Sequence, residues 1–528
     1  MATLLQLQLP MNIGLTIDHH QPVFLIKQIV DSLNHPFLNT SSWGRGRKAK
    51  LTNRQLLAVL LYSYSEGIYS SRKISERLKR DTHYMYLTDG IPVTHTTINN
   101  FRLSLTDGTM DELFILFVKQ LKALNEVRLE TLYLDGTKIE AYANRYTFIW
   151  HGWVEKHEAK LQEKVRALFY QIEEELSLTF YYPLDEKISV EIMDHALMSL
   201  KHYAEQQGIE MVRGKGKRQS SVQRYIETLE DYIYRQTMYD TYYDLLDGRN
   251  SFSKTDPDAT FMRMKDDHMN NGQLKPAYNV QVGMEGGYVI GVDIYHYTTD
   301  MPTLIPFIRK VQQDYHGVIQ NVVADSGYAS EKNYDFLERN RSQIYIPYQS
   351  YYQEKTRKFR QDIGKRQNMA YDSERDVYRC ANNRELVYSG TDYDKRDAEY
   401  TVKKKVYRCT DCHDCPLRRQ CMPYSKREDT NKTVSYSENF ERQKQRVYSN
   451  LTSEHGIRLR MNRSIQTEGF FGIMKEDYHF RRFLLRGTEK VRVEVLLLAF
   501  AFNFRRLYNK QRAGLNGTFI EYEVKEAA

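Results

Sequence analysis

The stretch Asn462–Lys475, NRSIQTEGFFGIMK, decides how the rest of this chain is read. As a regular helix it places Glu468, Phe471, Gly472 and Lys475 at i, i+3, i+4 and i+7, so one carboxylate and one ammonium share a face. Alone, that pattern describes a solvated helix face. Two further acids give it weight. Asp135 in TLYLDGTKIEA and Asp325 in VVADSGYAS each close a short apolar run that reads as a buried strand. An Asp before Gly or Ser-Gly at a strand end is also a common turn former. The three acids, 190 and 143 residues apart, therefore carry meaning only together, and only if the fold unites them.

At 528 residues the chain exceeds a single core, and roughly two to four domains are expected. Hydrophobic residues at 41% and charged residues at 27% describe an ordinary globular protein rather than a disordered or fibrous one. The 41 tyrosines suit wet, amphipathic surfaces. A net charge of +8 leans mildly toward polyanionic partners. No apolar run reaches the roughly 18–20 residues of a membrane span. The longest, VEVLLLAFAFNF, contains Glu494 and Asn503 and reads as a core helix. The first residues lack a basic signal-peptide region, so a cytosolic protein is expected.

Residues 1–44 show no clear period and read as an arm. Residues 45–125 read as a helical module. NRQLLAVLLYSYSEG, SSRKISERLKR and VTHTTINNFRLSL suggest three short helices, and residues 41–80 carry ten Lys/Arg against Glu66 and Glu76. That pattern resembles a helix-turn-helix, with Asn99 and Arg102 as candidate DNA contacts, although a bundle with a solvated charged face fits equally. The catalytic core is expected from 126–153, 248–349 and 462–510, where strands alternate with helices as in a mixed sheet. Between these pieces lie a helical insertion at 154–247, tipped by Arg213, Lys215, Lys217 and Arg218, and a basic, poorly periodic insertion at 350–461. Asp256 and Asp258 in TDPDA read as turn formers, and 511–528 as a loose tail.

Convergent carboxylates are what divalent metal needs for phosphodiester chemistry: hard oxygen ligands, one or two per ion, with the remaining sites left for water and substrate. YLDGTKIEA, VVADSGYAS and the Glu-x6-Lys segment together resemble the three catalytic segments of DDE transposases of bacterial insertion sequences. The likeness is greatest to the eleven-eighty-two group, and it covers about residues 45–510. It implies an α/β, ribonuclease-H-like core with Asp135, Asp325 and Glu468 holding Mg²⁺ or Mn²⁺. It also implies that Lys475 contacts DNA near the cut. Relatives often carry Tyr-x2-Arg-x3-Glu-x6-Lys; here Met461 and Ser464 occupy the Tyr and Arg positions, and Arg463, one residue earlier, is the candidate phosphate contact in its place.

All five cysteines fall within 380–421. Cys409-x2-Cys412-x2-Cys415-x5-Cys421 supplies four thiols in 13 residues, enough for a structural Zn²⁺ site, with Cys380 and His413 as substitutes and a set of reduced thiols as the alternative. The expected function is a transposase. It would bind the terminal inverted repeats of an insertion sequence as double-stranded DNA, cut at the ends and join the freed 3′-hydroxyl to target DNA, working as a homodimer. The rivals are a metal-dependent nuclease that does not join ends and a non-catalytic DNA-binding regulator.

Overall fold

Thr131–Glu140 is buried along nearly its whole length, which marks it as the central strand of a sheet covered on both faces. The computed structural model describes residues 17–40, 50–212, 218–264, 272–397, 399–425 and 430–521. In it this strand, β1, pairs on one side with β2 (Leu274–Glu285) and on the other with β4 (Asn321–Val323). β3 (Tyr288–Tyr295) folds back on β2 across Gly286-Gly287, both at positive φ, and β5 (Gln343–Tyr345) extends the far edge. The order is β3-β2-β1-β4-β5, with the short strand Thr260–Arg263 beside the start of β2. β2 runs antiparallel to both β1 and β3, whereas β1, β4 and β5 run parallel.

Among the described residues six helices precede the sheet: α1 (Pro22–Ser32), α2 (Asn53–Ser65), α3 (Ser71–Arg80), α4 (Thr82–Leu87), α5 (His95–Leu103) and α6 (Thr109–Ala123). Thr52 and Gln55 close a capping box at the start of α2. α1 lies in the stretch read as an arm without period; Val23, Ile26, Ile29 and Val30 form its buried face. The helical insertion holds α7 (His151–Leu176), α8 (Val190–Gln206) and α9 (Ser221–Leu246) around its own apolar core. Its expected basic tip, Arg213, Lys215 and Lys217, lies outside the described residues. α10 (Leu304–Tyr315) and α11 (Glu331–Arg339) make the crossovers that parallel strands require.

The stretch 350–461 departs from its sequence reading. It contains a second, five-stranded antiparallel sheet in the order β10-β9-β8-β7-β6: β6 (Ala370–Asp372), β7 (Val377–Arg379), β8 (Glu385–Asp397), β9 (Tyr400–Cys409) and β10 (Thr433–Tyr436). β9 buries only Tyr407 and Cys409 fully, so little apolar alternation reaches the sequence. α12 (Glu438–Thr452) and α13 (Glu454–Arg463) return the chain to the core.

α14 (Thr488–Arg512) closes the molecule against β3, α2 and α6. Its Asn503 explains a polar residue in an apolar helix: the side-chain amide donates to the Val289 carbonyl and accepts from the Val289 N–H, each at 2.7 Å. Asp256 and Asp258 hold the entry to this helix, accepting from Gly487 N at 3.1 Å and Thr488 N at 2.7 Å. The described end of the tail is docked: Gly517 N donates to Glu126. The tyrosines also serve the interior. Tyr278, Tyr288, Tyr328 and Tyr334 are fully buried, with hydroxyls donating to Asp256, Glu126, Gln281 and the Ile346 carbonyl.

Candidate active site and cysteine cluster

The last paired rung between β1 and β4 is Tyr133–Val323, and two residues further along each strand stand Asp135 and Asp325. The two acids thus stand on neighbouring parallel chain segments, Asp135 inside β1 and Asp325 just past the end of β4. Asp135 is buried, and its Oδ1 accepts from the Gly136 N–H at 2.8 Å. Asp325 is half-buried and caps the turn Ser326–Tyr328 through Gly327 N at 2.8 Å.

The segment carrying Glu468 lies on the same spot. Arg463 Nη1 and Thr467 Oγ1 each reach Asp135 Oδ2 at 3.2 Å. Glu468 is exposed and accepts from Ser464 Oγ at 3.0 Å. One expectation is corrected here: the segment is not a regular α-helix. Ser464–Glu468 is a π turn, Gly469–Gly472 is α-helical, and Ile473–Asp477 is a second π turn. Each wide turn accommodates one more residue than an α turn, so Lys475, half-buried in the second, does not share a strict i, i+7 face with Glu468. The first turn has the opposite merit. Across a π turn i and i+5 stack much as i and i+4 do in an α-helix, so Arg463 stands one turn before Glu468 despite being five residues away.

Four further residues belong to the cluster: Tyr328, inside the VVADSGYAS stretch, and Asn279, Gln281 and Asp300, which neither spacing nor motif marks. Asp300 accepts from Asn279 Nδ2 at 2.8 Å and from Gln281 Nε2 at 2.9 Å. Gln281 in turn accepts from the Tyr328 hydroxyl. Burial raises the Tyr328 phenol well above its ordinary range, and the charges of Asp300, Asp135 and Asp325 add to the effect while Arg463 opposes it. Four charged groups thus surround one buried ring. Gly136 permits the crowding: a Cβ there would sit 2.2 Å from Gln281 Nε2 and 2.9 Å from Asp300 Oδ1.

A basic and aromatic strip runs alongside. Arg482 and Arg486 donate to the backbone carbonyls of Ala141, Ala143 and Tyr142, and both guanidiniums lie over the exposed Tyr142 ring, at 5.2 and 4.9 Å. Of the DNA contacts expected on α5, Asn99 is half-buried. Arg102 is placed differently from that expectation: it is 2% exposed and donates to the Tyr69 carbonyl at 2.7 Å, turned into the interior by the packing of α5.

The four expected zinc ligands, Cys409, Cys412, Cys415 and Cys421, line one cavity of about 20 Å³, together with Cys380 from the turn between β7 and β8. Burial pushes the Cys409 thiol up to about 11 and raises that of Cys421. Among the described residues no three His, Cys, Asp or Glu side chains are arranged as a group ready to hold a metal ion. Asp135, Asp325 and Glu468 are among the side chains not so grouped, and protein donors meet Asp135 Oδ2 and Glu468 Oε1. The donor chemistry, hard carboxylate oxygens on neighbouring chain segments, suits magnesium or manganese.

The fold and site define a class: a mixed α/β protein with one acid inside the central strand, a second just past the end of its parallel neighbour, and a third on a helical segment laid against the first. Two family models match the chain, a transposase DDE domain over residues 379–508 and a transposase domain (DUF772) over residues 12–104. These matches support a DDE transposase of an insertion sequence. The first spans the cysteines and Glu468; the second runs from the expected arm through α5. Comparison with curated proteins and with solved structures returned no match. No helix among the described residues is long and apolar enough to cross a membrane.

Proposed function

We propose that this protein cuts DNA at the ends of an insertion sequence and joins the freed 3′-hydroxyl to a target, as a member of the eleven-eighty-two group. The observation that carries the reading is the parallel register of β1 and β4, which leaves Asp135 and Asp325 each two residues beyond the last paired rung, with Thr467 and Arg463 tying the Glu468 segment to Asp135. The strand order β3-β2-β1-β4-β5 supports a ribonuclease-H-like core. Asp135, Asp325 and Glu468 would hold Mg²⁺ or Mn²⁺, which when bound would make an attacking water or hydroxyl more acidic and steady the leaving oxygen.

The chain's own residues do the positioning. Arg463 and Thr467 orient Asp135, and Ser464 orients Glu468. The chain Tyr328–Gln281–Asp300 stiffens the floor beneath them. Arg482 and Arg486, beside Tyr142, offer charge and a stacking face to a DNA strand, and the helices of residues 50–105 would read the element ends. Two ends must be held together, so a homodimer is the proposed working form.

The test is a strand-transfer assay, with Mg²⁺, on DNA carrying the two ends of the segment that encodes the protein. Joined products in wild type, absent in Asp325→Asn, support the proposal. Cleavage without joining would assign a nuclease, and end binding without either would assign a regulator.

A further inference from the structure

The sheet β6–β10 poses a problem of stability. Its apolar cluster contains only seven buried side chains among the described residues, and two of these are Cys409 and Cys412. Five strands on so small a core need another source of cohesion; in proteins that is usually disulfides or a structural metal. All five cysteines are free thiols.

Their placement favours metal. Cys380 comes from the tight turn after β7, Cys412 and Cys415 from the loop after β9, and Cys421 from the short helix Arg418–Cys421, yet all of them face one cavity. Polar N–H groups aim at two of the sulfurs: Lys432 N lies 3.3 Å from Cys412 Sγ, and Asn382 Nδ2 lies 3.5 Å from Cys415 Sγ. Such donors stabilise thiolate charge and orient ligands. Arg384, Arg418 and Lys432 line the same cavity and offset that charge. Cys409 adjoins Cys412 and Cys380 but is the most buried of the five: it is 1% exposed, and its S–H donates to the Asp411 carbonyl at 3.3 Å, as a thiol engaged in packing does. Cys421 has Cys380, Cys412 and Cys415 as its thiol neighbours.

We infer that Cys380, Cys412, Cys415 and Cys421 close on one Zn²⁺, while Cys409 stays a buried thiol. The sulfurs line the cavity without yet forming a finished ligand set, so binding draws them inward by side-chain rotation. The ion would staple the β7–β8 turn to the end of β9, supplying cohesion that the small core lacks. This inference is independent of what the acid cluster does.

The test uses the full chain, purified with zinc in the growth medium and desalted. Metal is counted by mass spectrometry and by chromogenic release after thiol modification. Wild type and Cys409→Ala are expected to carry one zinc per chain. Cys380→Ser and Cys415→Ser should carry less by on the order of tenfold. Limited proteolysis guards against a folding artefact: chelation of wild type should expose residues 350–437 to cleavage while the β1–β5 core stays resistant. Wild type that takes up no zinc would overturn the inference, as would zinc lost in Cys409→Ala but kept in Cys380→Ser.

Discussion

Arg463 and Asp135 are 328 residues apart in the chain, and their side chains form an ion pair at 3.2 Å. The pair joins the central strand to the segment that carries Glu468, and both side chains are largely buried. The π turn makes it reachable, because one additional residue in the turn carries Arg463 to the face that an arginine at 464 would otherwise hold.

Replacing Arg463 by Ala should therefore cost more than a surface charge would. We expect a loss of about 1–3 kcal/mol in unfolding free energy, since a buried carboxylate loses its charged partner. Joining activity should fall as well. Adding Ser464→Arg, which restores the spacing common in relatives, should not rescue either property, because position 464 lies around the turn from Asp135. Urea titration and the joining assay check both points.

Asp325→Asn removes a charge from a half-buried turn but keeps an oxygen to accept from Gly327 N. Stability should change by less than about 1 kcal/mol. Cleavage at element ends should drop by roughly 100-fold or more, as several kcal/mol of transition-state stabilisation is lost. A cleavage time course beside a thermal melt separates the two effects.

Gly136→Ala tests the crowding around Asp300. The added Cβ meets Gln281 Nε2 at 2.2 Å and Asp300 Oδ1 at 2.9 Å, so the buried amide must move and leave its partners. A destabilisation of about 2–3 kcal/mol is expected from overpacking and a disturbed hydrogen bond. Equilibrium denaturation measures it.

Arg102→Ala separates a structural role from DNA contact. Arg102 is 2% exposed, and its charge lies near that of the buried Glu494. Truncation should destabilise by about 1–3 kcal/mol, because the Tyr69 carbonyl loses its charged donor in the interior. Affinity of the folded fraction for end DNA should not change. A loss of affinity at unchanged stability would return Arg102 to the DNA surface.

Glu494 predicts a pH dependence. Burial raises its carboxyl above the ordinary 4.5, partly opposed by Arg102 and by the Leu484 and Leu485 N–H groups. A raised folded pKa means that the folded state binds the proton more tightly. Its contribution is full below the unfolded value and is lost as pH rises through the folded one. Wild-type stability relative to Glu494→Gln should therefore increase as pH falls from 7 toward about 4.5. Paired denaturation curves at several pH values read this directly.

Much of the core was legible in the sequence because it rests on local rules. A buried strand shows as an apolar run, as in β1 and around Asp325, and α2 carries both its apolar stripe and its capping pair in consecutive residues. The sheet β6–β10 was not legible, because strands that bury little leave little alternation to read. Nor was the depth of Arg102: a helix shows which residues share a face, but the partners packed against it decide which face is inside.

The amino-acid order alone determined that acids follow two apolar runs, that cysteines gather late in the chain, and that a glutamate precedes a lysine by seven; it did not show that β1 continues past Asp135 to Glu140. Only the tertiary structure decided that the strand of Asp135 neighbours that leading to Asp325, that Thr467 and Arg463 reach Asp135, and that Cys380 faces the other thiols. Strand register and helix docking are long-range choices, set by which buried surfaces fit together, and neighbouring residues do not record them.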